Sequence, residues 1–259
     1  MAFPRTSNLN RAVLCCCATL STYNAHATDN TGPDRLSYTI GAQFNTGDLS
    51  STTPRSTALP VIGMRYGHWR LGIGDGREWL QFNASRDIGG LTYRTDERFN
   101  WQLSYSAQLR HTESDSSYTL GDKGPVTLRG QVALSRKLTP RTSIGVTWTQ
   151  DVLGRGDGGG LGLGWADNWP INDISEVNFN VGMNWGTAQR WQIADDPSTS
   201  DIGAGWGSAT ASANYRRLWG QRTAWYTTVT MGRTMGTRTK ALGQHVSTNV
   251  ELGVLLFNR

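Results

Sequence analysis

Residues 101–110 read Trp-Gln-Leu-Ser-Tyr-Ser-Ala-Gln-Leu-Arg, and this stretch decides the fold. Trp101, Leu103, Tyr105, Ala107 and Leu109 alternate with Gln102, Ser104, Ser106, Gln108 and Arg110. Successive side chains of a strand point to opposite faces, so the segment has one apolar face and one polar face. The same period recurs on either side of it. Leu36, Tyr38, Ile40, Ala42 and Phe44 alternate with Ser37, Thr39, Gly41 and Gln43. Ile144, Val146 and Trp148 do so with Gly145 and Thr147, and Val177, Phe179, Val181, Met183 and Trp185 with Asn178, Asn180, Gly182 and Asn184.

Two architectures use such ribbons. A soluble sandwich presses the apolar faces together, whereas a transmembrane barrel turns them outward into lipid and keeps polar groups in its lumen. Three features favour the barrel. The best strands run about 9–11 residues, enough for a tilted strand to cross a bilayer. The polar faces carry Gln, Asn, Ser, Thr and Gly, a small uncharged set suited to a narrow wet interior. Trp69, Trp101, Trp165, Trp169, Trp185 and Trp219 fall near strand ends, where an aromatic girdle meets the water–lipid boundary.

The composition agrees. Only 37% of the 259 residues are hydrophobic, which excludes a bundle of membrane helices, while 11 Trp argue against a disordered chain. Beyond the N-terminal segment, the longest run free of Asp, Glu, Lys and Arg is Ile202–Tyr215, too short for a spanning helix of about 20 residues. The net charge of +5 is modest and no basic stripe gathers it, so nucleic acid is not an expected partner.

The N-terminus reads as an address. Arg5 and Arg11 precede the apolar run Ala12–Leu20, and Ala25-His26-Ala27 supplies an A-x-A cleavage site. Residues 1–27 are therefore expected to be a secretory signal peptide, and 28–259 a single outer-membrane β-barrel. All three Cys lie at 15–17, so the mature chain carries no disulfide framework.

Candidate strands are 36–44, 58–66, 69–74, 78–85, 89–95, 101–111, 127–137, 143–152, 160–166, 174–185, 206–218, 222–233 and 244–256. Bacterial single-chain barrels have an even number of strands. One of the short runs before residue 101 is therefore in excess, which leaves twelve strands, with ten as the alternative. Connections at 138–142 and 219–222 are tight, and those at 111–125, 186–205 and 234–243 are long and polar. That is the contrast between a rim of turns and a rim of loops. The last strand puts Val246, Thr248, Val250, Leu252, Val254 and Leu256 on one face, and its terminal aromatic, Phe257, is followed by Asn258 and Arg259.

A short segment also resembles a known family. Ala58-Leu59-Pro60-Val61-Ile62-Gly63-Met64-Arg65-Tyr66-Gly67, followed by Trp69-Arg70-Leu71-Gly72, is similar to the early second-strand segment of the MltA-interacting protein (MipA/OmpV) family. The resemblance implies a non-catalytic outer-membrane barrel acting as a scaffold. Its implied partners are a murein-degrading lytic transglycosylase and a murein-synthesising penicillin-binding protein. No partner-binding residue can be transferred by motif.

Few residues suggest chemistry. His111 ends a strand beside Glu113, Ser114 and Asp115, but neighbours in one polar loop rarely converge as a nucleophile, base and orienting group must. Asp195-Asp196 reads as a solvated turn. Gly154-Arg155-Gly156-Asp157-Gly158-Gly159 matches a phosphate-binding fingerprint, yet Gly160-Leu161-Gly162-Leu163-Gly164-Trp165 follows with a strand period instead of a helix. It reads as a tight loop before a strand whose inner face is glycine, leaving room for a plug or a narrow pore. Arg155-Gly156-Asp157 spells an adhesion tripeptide by chance. No metal spacing is present, and scattered loop acids (Glu113, Asp115, Asp122) are a weak calcium site. No catalytic, cofactor-binding or metal-binding residue is expected. Arg110, Arg129 and Glu176 fall on polar faces, where they are expected to line the lumen as a satisfied ion-pair network. The competing reading of the molecule is a small porin or uptake channel.

Overall fold

The computed structural model describes residues 36–51, 56–73, 89–111, 126–192 and 200–258. Twelve antiparallel strands close into one barrel in chain order. They are β1 (Ser37–Asn45), β2 (Thr57–Tyr66), β3 (Trp69–Ile73), β4 (Gly89–Arg94), β5 (Trp101–His111) and β6 (Val126–Lys137). Around the rest of the wall run β7 (Thr142–Asp151), β8 (Gly159–Asn172), β9 (Ser175–Gly186), β10 (Gly205–Leu218), β11 (Thr223–Thr234) and β12 (Val246–Phe257). The sheet seals where β1 meets β12, with Thr39 opposite Phe257 and Asn45 opposite Glu251. Asn258 extends that seam, donating its backbone N–H to the Tyr38 carbonyl at 3.1 Å. Its side-chain carbonyl accepts from the Tyr38 N–H at 2.5 Å. Closure leaves no unpaired edge, the condition for a sheet to stand in hydrocarbon.

The alternation in the sequence becomes two surfaces. Thr39, Gln43, Thr147, Asn214, Thr228 and Asn249 are buried toward the axis. Ile40, Phe44, Val132, Val181, Leu252 and Leu256 stand outside, Val181 with 49% of its surface exposed. A continuous apolar belt around a monomer far exceeds the patches that soluble proteins tolerate in water. In a membrane the belt faces acyl chains and needs no cover. The chain is an outer-membrane β-barrel with lipid as its outer solvent. Trp69, Trp101, Trp169 and Trp219 are exposed near strand ends, as a girdle requires, whereas Trp165, also exposed, stands mid-strand opposite Val181 and outside any girdle. The Arg136 and Arg141 guanidinium groups lie 5.3 Å and 5.5 Å from the Trp101 and Trp169 rings. These pairs suit the interface, where a ring is half in lipid and a cation stays wet.

One rim holds the tight connections, β2–β3, β4–β5, β6–β7, β8–β9 and β10–β11, together with both ends of the barrel. Local hydrogen bonds explain their brevity. The Thr139 hydroxyl accepts from the N–H groups of Arg141 and Thr142 at 3.1 Å and 2.9 Å, and the Asn172 side chain from the Ile174 N–H at 3.1 Å. The opposite rim holds the long connections. Two of them carry short helices that the polar composition did not announce, the one-turn α1 (Ala188–Trp191) and the seven-residue α2 (Gly236–Leu242).

Twelve is the strand number expected; of the three short runs before residue 101 that could hold the excess, 69–74 and 89–95 coincide with β3 and β4, and 78–85 lies outside the described residues. In the sheet, β3 pairs directly with β4, Trp69 opposite Tyr93. β8 continues six residues past the expected end at 166. The alternation breaks there because outward-facing Asp167 is polar. It accepts a hydrogen bond from the Thr142 hydroxyl at 2.9 Å and another from the Trp169 indole N–H, so the strand persists to the rim. The signal peptide expected over 1–27 lies outside the described residues.

One wall of the interior is packed. Val61, Tyr226 and Leu255 form an apolar cluster on the inner face. The Tyr226 ring lies on Gly253, where an added Cβ would stand 2.1 Å from Cε1. Glycine is required there because the ring occupies the space of a side chain.

Candidate functional site in the barrel lumen

The remaining wall is lined by half-buried hydrogen-bonding groups. Cross-strand register brings Asn180 opposite Ser212 and Asn184 beside Ser208. Each amide N–H donates to the serine hydroxyl at 3.4 Å. Asn214 donates to the Thr228 hydroxyl at 2.6 Å. These bonds use the amide nitrogens. The side-chain carbonyl oxygens of Asn168, Asn180, Asn214 and Asn249 are buried without a donor among the described residues. An orphaned buried oxygen costs about 1–3 kcal/mol, so a row of them belongs in an interior that admits water.

The inner charges form pairs. Arg129 holds Asp157 in a two-pronged contact, Nε–Oδ2 and Nη2–Oδ1 each 2.6 Å, with both side chains buried. Glu176 meets Arg216 at 2.7 Å, and Lys137 meets Glu97 at 2.5 Å. The expectation for Arg129 and Glu176 holds, but their partners, Asp157 and Arg216, were missed. Asp157 is the acid of the Arg-Gly-Asp tripeptide, turned inward; its own N–H donates to Asp151 at 3.0 Å. Asp151 also accepts from the Thr127 hydroxyl. The glycines of this loop take left-handed φ of 65° at Gly154, 95° at Gly156 and 63° at Gly158, which lets six residues fold back on the rim. A buried Arg preceded by no acid on its own strand was the only signal for that pairing. The side chain of Arg110 lies outside the described residues.

A cap sits above the glycine-lined wall. Gly160, Gly162 and Gly164 of β8 face inward, opposite Gly186, Asn184 and Gly182 of β9. The Arg190 side chain lies over Gly160, where a Cβ would be 2.9 Å from Nε. Trp191, 4% exposed, lies against Gly186 and Gly207, where Cβ atoms would be 2.8 Å and 2.5 Å from its ring. Its indole N–H donates to the Gly205 carbonyl at 3.1 Å, and the Arg238 guanidinium of α2 stands 5.3 Å from the ring. The room that the glycines leave is therefore filled at this end by residues of the β9–β10 connection.

On the same rim, Asp48 ties the β1–β2 connection to β12. It accepts from the Ser50 hydroxyl at 2.7 Å, the Ser50 N–H at 3.0 Å and the Thr248 N–H at 3.0 Å, and lies 3.1 Å from His245 Nε2. Burial pushes its pKa up, but the hydrogen bonds from Ser50, Thr248 and His245 outweigh burial and hold the carboxyl below the ordinary aspartate range. Ser50 bonds to the acid and not to the imidazole, so the trio is a loop staple and lacks a nucleophile–base contact.

His111 ends β5; its side chain, Glu113, Ser114, Asp115, Asp122 and Asp195-Asp196 lie outside the described residues. Among the described residues no group of three metal-ligating side chains converges.

No family model and no curated protein matches the sequence. Solved structures do. The NanC porin aligns with a TM-score of 0.50 at 8% identity, over 85% of this chain and 98% of that one. An outer membrane channel from Pseudomonas putida F1 aligns at 0.46 and 12%, over 86% and 95%. A loop-deletion mutant of OmpT, an outer membrane protein of Vibrio cholerae, aligns at 0.43 and 8%, over 86% and 98%. At 8% identity the likeness to the porin is one of fold alone, and it agrees with the closed twelve-strand barrel.

Proposed function

We propose that the protein is a passive channel for small hydrophilic solutes, capped at the long-loop rim by Arg190, Trp191 and Arg238, and that it performs no chemical step. The observation that carries this reading is the row of buried asparagine oxygens with no donor among the described residues on a half-open polar wall. Such groups persist only where water reaches them. Solute of similar polarity can exchange for that water. The tight-turn rim, which also holds both ends of the barrel, faces the periplasm, and the capped rim faces outward. The test is planar-bilayer recording of the purified protein beside Trp191→Ala. Removing the indole is expected to raise the single-channel conductance at least about twofold by widening a steric constriction. Silence of both proteins in a verified folded state would refute the channel.

The resemblance of residues 58–72 to the MltA-interacting protein family supports a second reading, a scaffold that joins a lytic transglycosylase to a penicillin-binding protein. Crosslinking and pull-down from solubilised envelopes test it. Recovery of both enzyme classes is the expected result, and repeated recovery of neither removes this reading.

A further inference from the structure

We infer that the tight-turn rim carries a docking belt for anionic phospholipid headgroups, built on the outer side of the barrel by Arg136, Arg141, Arg217 and Arg222. Its assignment to the inner leaflet rests on the orientation proposed above, and it does not depend on whether the lumen conducts. The four residues fall in two groups, and all are exposed. In the first, Arg136 continues the outward row of Val132 and Leu134 on β6 and is directly opposite Trp101 of β5, its guanidinium 5.3 Å from that ring. Arg141, in the turn that follows β6, stands 5.5 Å from the Trp169 ring of β8. In the second, Arg217 of β10 is opposite Trp225 of β11, whose ring packs on Tyr215 with 5.2 Å between centroids. Arg222 leads into β11 from the turn that holds exposed Trp219, and its carbonyl accepts from the Phe257 N–H at 3.0 Å, which fixes it at the rim.

These four guanidinium groups meet no carboxylate within ion-pair distance among the described residues. The inward cations do: Arg129, Arg216 and Lys137 each hold an acid. Asp167, an acid on the same outer face, is engaged by the Thr142 hydroxyl and the Trp169 indole instead of by a guanidinium. A cation on the outside of a barrel must take its counter-charge from its surroundings. At the depth of an interfacial indole those surroundings are lipid headgroups, whose phosphates attract basic side chains. A guanidinium suits them. Its fork donates two parallel hydrogen bonds to phosphate oxygens while its flat face stays on the ring. A zwitterionic headgroup brings its own ammonium group to its phosphate, whereas an anionic one leaves a net charge for the protein to meet. At the opposite rim, outward-facing Arg233 lies within hydrogen-bond reach of the Gln244 amide, so the outward cations without a protein partner gather at the turn end. That end faces the phospholipid leaflet, which selects phospholipid over lipid A as the occupant.

Quenching of tryptophan fluorescence by brominated lipid tests this on the full-length protein folded into vesicles. Brominated phosphatidylglycerol is mixed in rising proportion into phosphatidylcholine, and the quenching curve gives the ratio of the two association constants. The variants are R136Q/R141Q, R217Q/R222Q, the quadruple R136Q/R141Q/R217Q/R222Q, and R233Q as the control at the opposite rim. Heat-modifiable migration verifies folding, and the four corresponding lysine substitutions serve if the glutamine variants fail to fold. The wild type should prefer phosphatidylglycerol at least about threefold, and the preference should fall to about one in the quadruple variant and stay unchanged in R233Q. Each double variant should lose part of it, and the lysine variant should keep part, because charge survives without the fork. Salt at about 0.5 M should weaken the wild-type preference by screening. Absence of a preference in folded wild type, or a preference indifferent to the quadruple variant, would refute the belt. Lipid A is titrated in parallel. If it displaces phosphatidylglycerol from the same four arginines and binds more tightly, the inner-leaflet assignment is overturned and the orientation with it. Neither result involves conductance, so the channel reading stands or falls on its own recording.

Discussion

An arginine placed at Val181 measures directly which solvent touches the outside of the barrel. Val181 is the seventh of the twelve residues of β9. At ~3.4 Å per residue and a tilt of roughly 40°, the strand rises about 30 Å, so Val181 lies within about 2 Å of mid-height. Its side chain is 49% exposed between Trp165 of β8 and Ala211 of β10, its register partners. A charged side chain at the bilayer midplane costs about 2–4 kcal/mol, roughly 30- to 900-fold in the folding equilibrium. Asn180 is one residue away at the same height and faces the lumen, where its amide donates to Ser212. Asn180→Arg loses that weak bond and keeps its guanidinium wet, so it should cost less than about 1.5 kcal/mol. The assay is reversible urea unfolding of each variant in phospholipid vesicles. If Val181→Arg changes stability by no more than about 0.5 kcal/mol, the exposed face meets water and the membrane assignment fails. If Asn180→Arg costs as much as Val181→Arg, the assignment of faces is wrong.

Three further outcomes follow from named contacts. Arg129→Met leaves Asp157 buried beside Asp151 and should destabilise by about 3–5 kcal/mol, while R129M/D157N should recover most of the loss in the same urea assay. The Asp48 carboxyl is held below its ordinary value of 3.8, so the stability it contributes is complete above that value and disappears as the pH falls through the lower folded value. Unfolding midpoints of the wild type should therefore drop more steeply in that acid range than those of Asp48→Asn. Gly253→Val drives a side chain into the Tyr226 ring and should cost about 1–3 kcal/mol, reduced in the G253V/Y226A double variant.

The glycine strand shows how far local pattern reaches. The inward row Gly160, Gly162 and Gly164 was legible as spare volume because parity alone fixes which side of a ribbon each residue occupies. What fills the volume was not legible. Arg190 and Trp191 arrive from a connection that reads as polar loop, and their place depends on the fold of that loop over the rim. Asp157 is similar. Its neighbours spell a phosphate fingerprint and an adhesion tripeptide, yet its partner is Arg129, far away in sequence and brought near by the pairing of β6 with β7.

By itself, then, the sequence determined the ribbons, their two faces and the rim of turns, and narrowed the strand number to twelve or ten, because these follow from a two-residue period and from turn chemistry confined to a few neighbours. Only the tertiary structure decided closure between β1 and β12, the pairing of inner charges and the cap over the glycine wall. Those depend on register between strands, and register is set by the whole closed sheet, which no local window contains.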